Sequence, residues 1–452
     1  MMPPMPRVLV LTYAPLPAAG RLTPGSGARQ FEMAGALARA GLGVTLSTPQ
    51  RGDPVAGVTV VERGAGPAEL PPGFDAYVVP LGYFGTGAPR PASGLVVADL
   101  YDQSLLSYAR RDPDTPQGRV QFESRIHDVA SALLEADVVL HAGRSGRLAL
   151  LGMLALLGRI APGHADPGDD LLDVPLGASA MPPAAPIATD PPLPPGAETI
   201  LWPSGTYVFF DAERALAAFE VVASRRPAAH LLVAGGLGPD PAAADRANFE
   251  RFAARVKASP AASRIRFADW QPYPARGAIY AAARVAVVLT HPGPEDDLSW
   301  RNRVADAVAA GLPTIVDGAS DLARIVAEAG AGIAVERSIQ AAAEAMEMLL
   351  GDAARHAQCA AAARTLAAGP LSWDVCVAPL VARIRRAPRA EGGLAPAPVA
   401  AVRLRRRRWG TPLHRLEVSL RLRGPAGFVA HGLRRAAGRG GPAAGDSAAG
   451  DS

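Results

Sequence analysis

Short runs that are apolar at every position recur along this chain, separated by helical patterns. "RVLVLTY" at 7–13 precedes the helical "ARQFEMAGALARAG" at 28–41, and "GVTLSTP" (43–49), "VTVVER" (58–63), "DAYVVP" (75–80) and "LVVADLYD" (95–102) follow. A strand with one wet face alternates apolar and polar residues. A run apolar throughout suits a parallel strand covered on both faces. A helical segment at about 117–135 and "DVVLH" at 137–141 continue the series. The pattern predicts an α/β chain with doubly wound sheets.

The series breaks at 180–196, "AMPPAAPIATDPPLPPG", where the proline density excludes both helix and central strand. It restarts with "TILWPSG" (199–205) and continues through "HLLVAGG" (230–236), "RIRFADW" (264–270), "VAVVLTH" (285–291), "PTIVDG" (313–318) and "AGIAVE" (331–336), with helical segments between them. The expected architecture is two Rossmann-like domains facing a central cleft. Its divisions are a first domain at 1–180, a Pro-rich linker at 181–198, a second domain at 199–371, a helix crossing back at 372–387, and a basic tail at 388–452.

Composition narrows the function classes. With 49% apolar and 19% charged residues, the 452-residue chain has material for a large core. Lys257 is the one lysine, and no G-x-x-x-x-G-K-[ST] loop exists, so a Walker-type NTPase is excluded. Cys359 and Cys376 fit neither a disulfide framework nor a zinc site, which points to a reducing cytoplasm. No secretory leader is expected at the N-terminus. The longest uncharged apolar stretch, "LALLGMLALLG" at 148–158, is far shorter than the ~20 residues a membrane span needs, and reads as a core helix. From Arg383 onward there are fifteen arginines and four acids, so the tail carries net +11 and the rest of the chain −7. Two readings of that tail stand: attraction to an anionic membrane surface, or a solvated segment without a partner. Nucleic acid is not expected, because no recognition motif accompanies the charge.

The densest chemistry is "HPGPEDDLSWRNRVADAVAAGLPTIVDG" at 291–318. Trp300, Val304, Ala307 and Val308 share one face at helical spacing, with Asn302 and Asp306 opposite and Arg303 beside them. Ser299 is placed to cap the helix. Ligands of open parallel sheets bind beyond the carboxyl ends of the strands, where this stretch is expected. A solvated, capped loop is the alternative reading of the residues alone.

Glu295, Leu298, Ser299, Trp300, Arg301, Arg303, Asp306 and Ala310-Gly311-Leu312-Pro313 fit the spacing E-x-x-[FL]-[SA]-[FW]-R-x-R-x-x-D-x-x-x-A-G-L-P. On these residues the chain resembles a bacterial subgroup of GT-B glycosyltransferases of the retaining family 4 type, over roughly residues 7–385. The broader family has two glutamates separated by seven residues. The second falls on Asp306; the first would fall on Leu298, so the acid is displaced to Glu295. "PGSGARQF" resembles the acceptor-side loop, with Gly25, Gly27 and Arg29. "VADLYD" resembles the subgroup's D-L-Y-D, placing Asp99 and Asp102 at the cleft as candidate catalytic groups. "ILWPSG" resembles the glycine-rich donor loop, with Gly205 kept and Ser204 in place of a glycine.

The resemblance implies a hexosyltransferase that moves a sugar from a nucleotide-diphosphate sugar to a hydroxyl of a glycan or lipid-linked acceptor, with retention. By the same resemblance it would serve cell-surface polysaccharide or glycoconjugate synthesis, at the cytoplasmic side. Asp306 would hold ribose, Glu295 the sugar, and Arg301 or Arg303 the phosphates. No metal and no cofactor are implied; the one Asp-x-Asp, Asp112 to Asp114, is weak evidence for a metal. The arginine and lysine that many relatives place after the donor loop are absent here. Where the subgroup has a glutamate stands Ser107, and Ser145-Gly146 stand near an expected Gln-Arg. These departures keep an inactive GT-B scaffold open as an alternative, with a nucleotide-sugar epimerase behind it. Oligomeric state is not indicated.

Overall fold

The computed structural model describes residues 5–63, 69–102, 104–110, 114–160, 166–181, 186–236, 243–386 and 394. The basic-tail expectation therefore falls almost wholly outside the described residues, as does Asp112. Among the described residues thirteen strands form two sheets, and the pairings between these strands are parallel. The first contains β1 (Arg7–Leu11), β2 (Gly43–Thr48), β3 (Val58–Glu62), β4 (Ala76–Pro80), β5 (Leu95–Asp99), β6 (Val138–His141) and β7 (Leu171–Asp173), in the order β3-β2-β1-β4-β5-β6-β7. The second contains β8 (Glu198–Trp202), β9 (Ala229–Ala234), β10 (Ile265–Ala268), β11 (Val285–Val288), β12 (Thr314–Val316) and β13 (Gly332–Ala334), in the order β10-β9-β8-β11-β12-β13.

In each sheet the order reverses beside the first strand, between β1 and β4 and between β8 and β11. Loops leaving two such neighbours diverge to opposite faces and open a crevice beyond the carboxyl ends. The strand cores are Val, Leu and Ile buried on both faces, as in Val8, Val10, Val78, Val97, Ile200 and Val287. Each such side chain contributes about 1.5–3 kcal/mol over its exposed state.

The two domains are also tied at the hinge. The Ala178 N–H donates to the Leu371 carbonyl at 2.6 Å, and the Trp373 indole donates to Ser179 at 2.8 Å. The helix Ala378–Arg385 reaches the first domain through Arg383, whose guanidinium pairs with Asp170 at 2.8 Å.

Three local readings change. The strand β7 was not expected: it has three residues, too short for a periodic signal. The segment 299–310 is not one helix. A one-turn helix, Pro294–Leu298, ends at Ser299 in extended backbone, and a second helix runs Asn302–Ala309. Ser299 consequently does not cap the second helix; its hydroxyl donates back to Glu295 at 2.7 Å. Finally, the helix Gly143–Leu156 is core on one side only. Leu150 and Leu154 are buried, whereas Leu148 and Leu156 are exposed.

Candidate functional site

The crevices of the two sheets face each other and join in one cleft of about 500 Å³. Thr12 and Tyr13 after β1, Leu81 and Gly82 after β4, and Tyr101 and Asp102 after β5 line it from the first domain. Tyr207, Trp270, Arg276, Glu295, Arg303 and Asp306 line it from the second. Gly25 stands where the walls approach each other: a Cβ there would meet the Asn302 amide nitrogen, across the cleft, at 3.1 Å.

The charged stretch after β11 folds onto itself. Glu295, only 3% exposed, accepts both terminal nitrogens of Arg301, at 3.0 and 2.7 Å. The same carboxylate accepts the Ser299 hydroxyl at 2.7 Å and, from the first domain, the Ser107 hydroxyl at 3.2 Å. Arg301 also packs over the Phe209 and Phe210 rings. The two residues expected to serve sugar and phosphate separately are thus brought together as one buried, bidentate pair. Beneath them Asp296 contacts Arg301 and Arg337, and Arg337 continues to Asp317. Burial pushes the Asp296 carboxyl up, against the opposing pull of Thr290, Arg301 and Arg337. Most of the charge that made this segment conspicuous therefore holds the loop in shape.

Asp306 sits differently. Its two oxygens face Arg276 Nε at 3.3 Å, the Tyr280 hydroxyl at 3.4 Å and Arg303 at 3.6 Å. These are long contacts, near the limit for a hydrogen bond, so the carboxylate retains capacity for shorter ones. Burial acts to lower the Arg276 basicity, but Asp306, Tyr273 and Glu32 outweigh it and keep the cation above its ordinary value. Arg303 lies over the Trp270 ring and is 27% exposed by its side chain. Arg276 and Arg303 thus stand on either side of an acceptor, with Glu32 as the corner's second acid, and cations beside an acceptor suit a polyhydroxylated anion. Tyr273 completes the corner: its ring lies against Arg276 and its hydroxyl donates to Glu32 of the first domain at 2.9 Å.

Arg276 was not singled out in the sequence. Its partner is thirty residues away, and "YPAR" has no spacing rule that would distinguish it from many other arginines.

On the first-domain side, Arg29 is fully buried. It gives Asp99 two hydrogen bonds of 2.8 Å and a third to the Val174 carbonyl, with Tyr101 stacked on the guanidinium. Gln30 adds a 2.6 Å bond to Asp99. Asp99 is therefore an anchor that fixes the helix Gly25–Arg39 to the end of β5, and its lone pairs are engaged by these donors. Asp102 lines the cleft and is exposed. Gly27 does not line it; a Cβ there would meet the Pro15 carbonyl at 2.4 Å, so its role is close packing. Gly205 likewise serves the backbone, with φ +61° and the Gly235 carbonyl 2.6 Å from where a Cβ would sit. The Trp202 indole donates to the Gly205 carbonyl at 2.7 Å and pins this turn. Among the described residues, no group of three His, Cys, Asp or Glu side chains is arranged to hold a metal ion. No described helix is long and apolar enough to cross a membrane.

Residues 207–352 match the family described as Glycosyl transferases group 1. No curated protein matches the chain. Among solved structures, sucrose-phosphate synthase from Thermosynechococcus elongatus superposes with a TM-score of 0.59 at 17% identity, over 84% of this chain and 98% of that one. Anabaena HepE in complex with UDP and glucose gives 0.55 at 12% identity, over 84% and 99%. The UDP-forming α,α-trehalose-phosphate synthase from Burkholderia vietnamiensis gives 0.54 at 13% identity, over 84% and 99%. The chain has the GT-B glycosyltransferase fold, two parallel-sheet α/β domains about a cleft, with the match to the group 1 glycosyl transferase domain confined to residues 207–352.

Proposed function

We propose that the protein transfers a sugar from a nucleotide-diphosphate sugar to an acceptor hydroxyl, with retention and without a metal, in the synthesis of a cell-surface polysaccharide or glycoconjugate. The observation that carries this reading is the Asp306 corner: a carboxylate with spare accepting capacity, flanked by Arg276 and Arg303, at the cleft wall formed by the group 1 domain. In it Asp306 accepts from ribose hydroxyls, and Arg303 with Arg276 meets the diphosphate. The facing wall, with Tyr13, Asp102 and Tyr108, receives the acceptor. The protein contributes orientation and stabilisation of the departing nucleotide diphosphate; a fixed array of donors stabilises that charge without reorganising. No side chain is assigned as nucleophile. Asp99 is not used as acid or base in this scheme, since Arg29 and Gln30 hold its carboxylate.

One observation favours a second reading, an inactive GT-B protein that binds nucleotide sugar without turning it over. Glu295 and Arg301 neutralise each other, and Ser107 closes over Glu295. An epimerase has less support, because Asp99, Glu295 and Asp306 are each partnered by arginine. Incubation with UDP-, GDP- and ADP-sugars plus candidate glycan acceptors, with detection of released nucleotide, separates the readings. Turnover of one donor is expected. Binding without release supports the inactive protein, and a changed sugar on an intact donor supports the epimerase.

A further inference from the structure

Glu32 and Tyr273 meet across the cleft, one from each domain. Glu32 lies one helical turn beyond Arg29 on the helix Gly25–Arg39, at a spacing that puts both on one face. Arg29 is pinned to Asp99 by two hydrogen bonds of 2.8 Å, so the place of Glu32 at the cleft wall is fixed from within the first domain. Tyr273 opens the short turn Tyr273–Ala275 and stands between Pro272 and Pro274, whose rings restrict the backbone on either side of it. Its hydroxyl donates to Glu32 at 2.9 Å.

Arg276 is held by the same turn. Its guanidinium lies 3.6 Å from the Tyr273 ring centroid, and one terminal nitrogen donates to the Tyr273 carbonyl at 2.9 Å. The Nε faces Asp306 at 3.3 Å. The other terminal nitrogen makes no hydrogen bond with the described residues, although Arg276 lines the cleft and is only 6% exposed. A buried guanidinium nitrogen without an acceptor is costly, so this one points to an anionic ligand. The Ser107–Glu295 contact also crosses the cleft, but it ends on a carboxylate that Arg301 neutralises. The Glu32–Tyr273 contact ends on a cation that still has a hydrogen bond to give.

We propose, resting on the donor assignment of the Asp306 corner, that Glu32 and Tyr273 are positioning residues. Through them the first domain holds Arg276 against the donor's diphosphate, so the corner is complete only when the two domains meet. Diphosphate binding and closure of the cleft then favour each other by the same factor. The sign of the effect separates this role from plain electrostatics. Glu32 is an acid at the edge of an anion site, and as a bare charge it repels phosphate. Its removal then tightens diphosphate binding, whereas loss of a positioning contact weakens it.

Calorimetric titration of UDP, GDP and ADP, each beside its nucleoside, into variants of the full chain tests this. Glu32→Ala and Tyr273→Phe should each weaken the diphosphate that wild type binds by about tenfold, the loss of one hydrogen bond to a charged group, and leave its nucleoside within about twofold. The combined variant should be no weaker than either single one, because both remove the same contact. Glu32→Gln keeps an acceptor without the charge and should bind the diphosphate as tightly as wild type. A role in folding alone lowers diphosphate and nucleoside together. The proposal is overturned if Glu32→Ala and Glu32→Gln tighten the diphosphate alike, which leaves Glu32 a bare charge. It is equally overturned if Tyr273→Phe binds the diphosphate as wild type does. Should Tyr273→Phe misfold, the two Glu32 variants decide. Loss of the diphosphate from Arg276→Gln, with the Glu32 and Tyr273 variants unchanged, keeps the donor assignment and overturns the positioning role. A wild type that binds no nucleotide overturns both.

Discussion

At the mouth of the first sheet, Asp99 and Arg29 form a buried bidentate pair closed off by Gln30, Tyr101 and Trp373. At the mouth of the second, Glu295 and Arg301 form a similar pair, but Ser107 reaches it from the other domain, and a further acid, Asp306, stands beside it with two more arginines. Similar buried pairs therefore serve different ends. The first holds a helix to a strand; the second holds the loop that presents Asp306 and Arg303 to the cleft. A bidentate acid–arginine pair at a strand end is thus weak evidence for catalysis, and the longer, incompletely satisfied contacts of Asp306 are stronger evidence for a ligand.

The largest effects come from breaking the two pairs. Arg29→Ala and Arg301→Ala each strand a buried carboxylate, and each should cost about 3–5 kcal/mol of stability in denaturant unfolding. They should differ in the cleft: nucleotide affinity, measured where the variant is still folded, should fall for Arg301→Ala and hold for Arg29→Ala. Equal effects on affinity would erase the contrast between the mouths. Next in size is Arg303→Gln, expected to weaken a nucleoside diphosphate about tenfold while leaving the nucleoside unchanged, read by calorimetry. Ser107→Ala removes one neutral donor to Glu295 across the cleft and should cost about 1 kcal/mol or less in donor binding, whereas Ser107→Glu sets two carboxylates together and should cost more. Smallest is a pH effect. Burial holds the His141 imidazole below its ordinary value. Its contribution to stability is then complete above about pH 6.5 and is lost as pH falls toward the lower folded value, because the unfolded chain takes up the proton first. His141→Gln should flatten the dependence of Tm on pH in that interval.

Much of this fold was legible as periodicity. The fully apolar runs became strands of two parallel sheets, and Trp300, Val304, Ala307 and Val308 are all buried. What periodicity could not convey was the break at Ser299–Arg301, because the apolar face continues through the break while the backbone extends. The site was partly legible. Spacing brought Asp306 and Arg303 to the cleft, but the pairing of Glu295 with Arg301, of Asp99 with Arg29, and of Asp306 with Arg276 is set by tertiary approach. The Asp99–Arg29 contact joins residues seventy positions apart, beyond the reach of any local rule. The reading of 148–158 as core is met on one face, by Leu150 and Leu154, and not on the other, for a related reason: a helix apolar all round looks the same in sequence whether one face or both are covered.

The most direct measurement is a calorimetric titration of UDP, GDP and ADP into wild-type protein and Asp306→Ala. One nucleotide should bind the wild-type cleft, and Asp306→Ala should weaken it by about tenfold to a hundredfold, the range for a charged hydrogen-bond partner. If none of the nucleotides binds, or if the variant binds as tightly as wild type, the assignment of this corner to the donor is wrong.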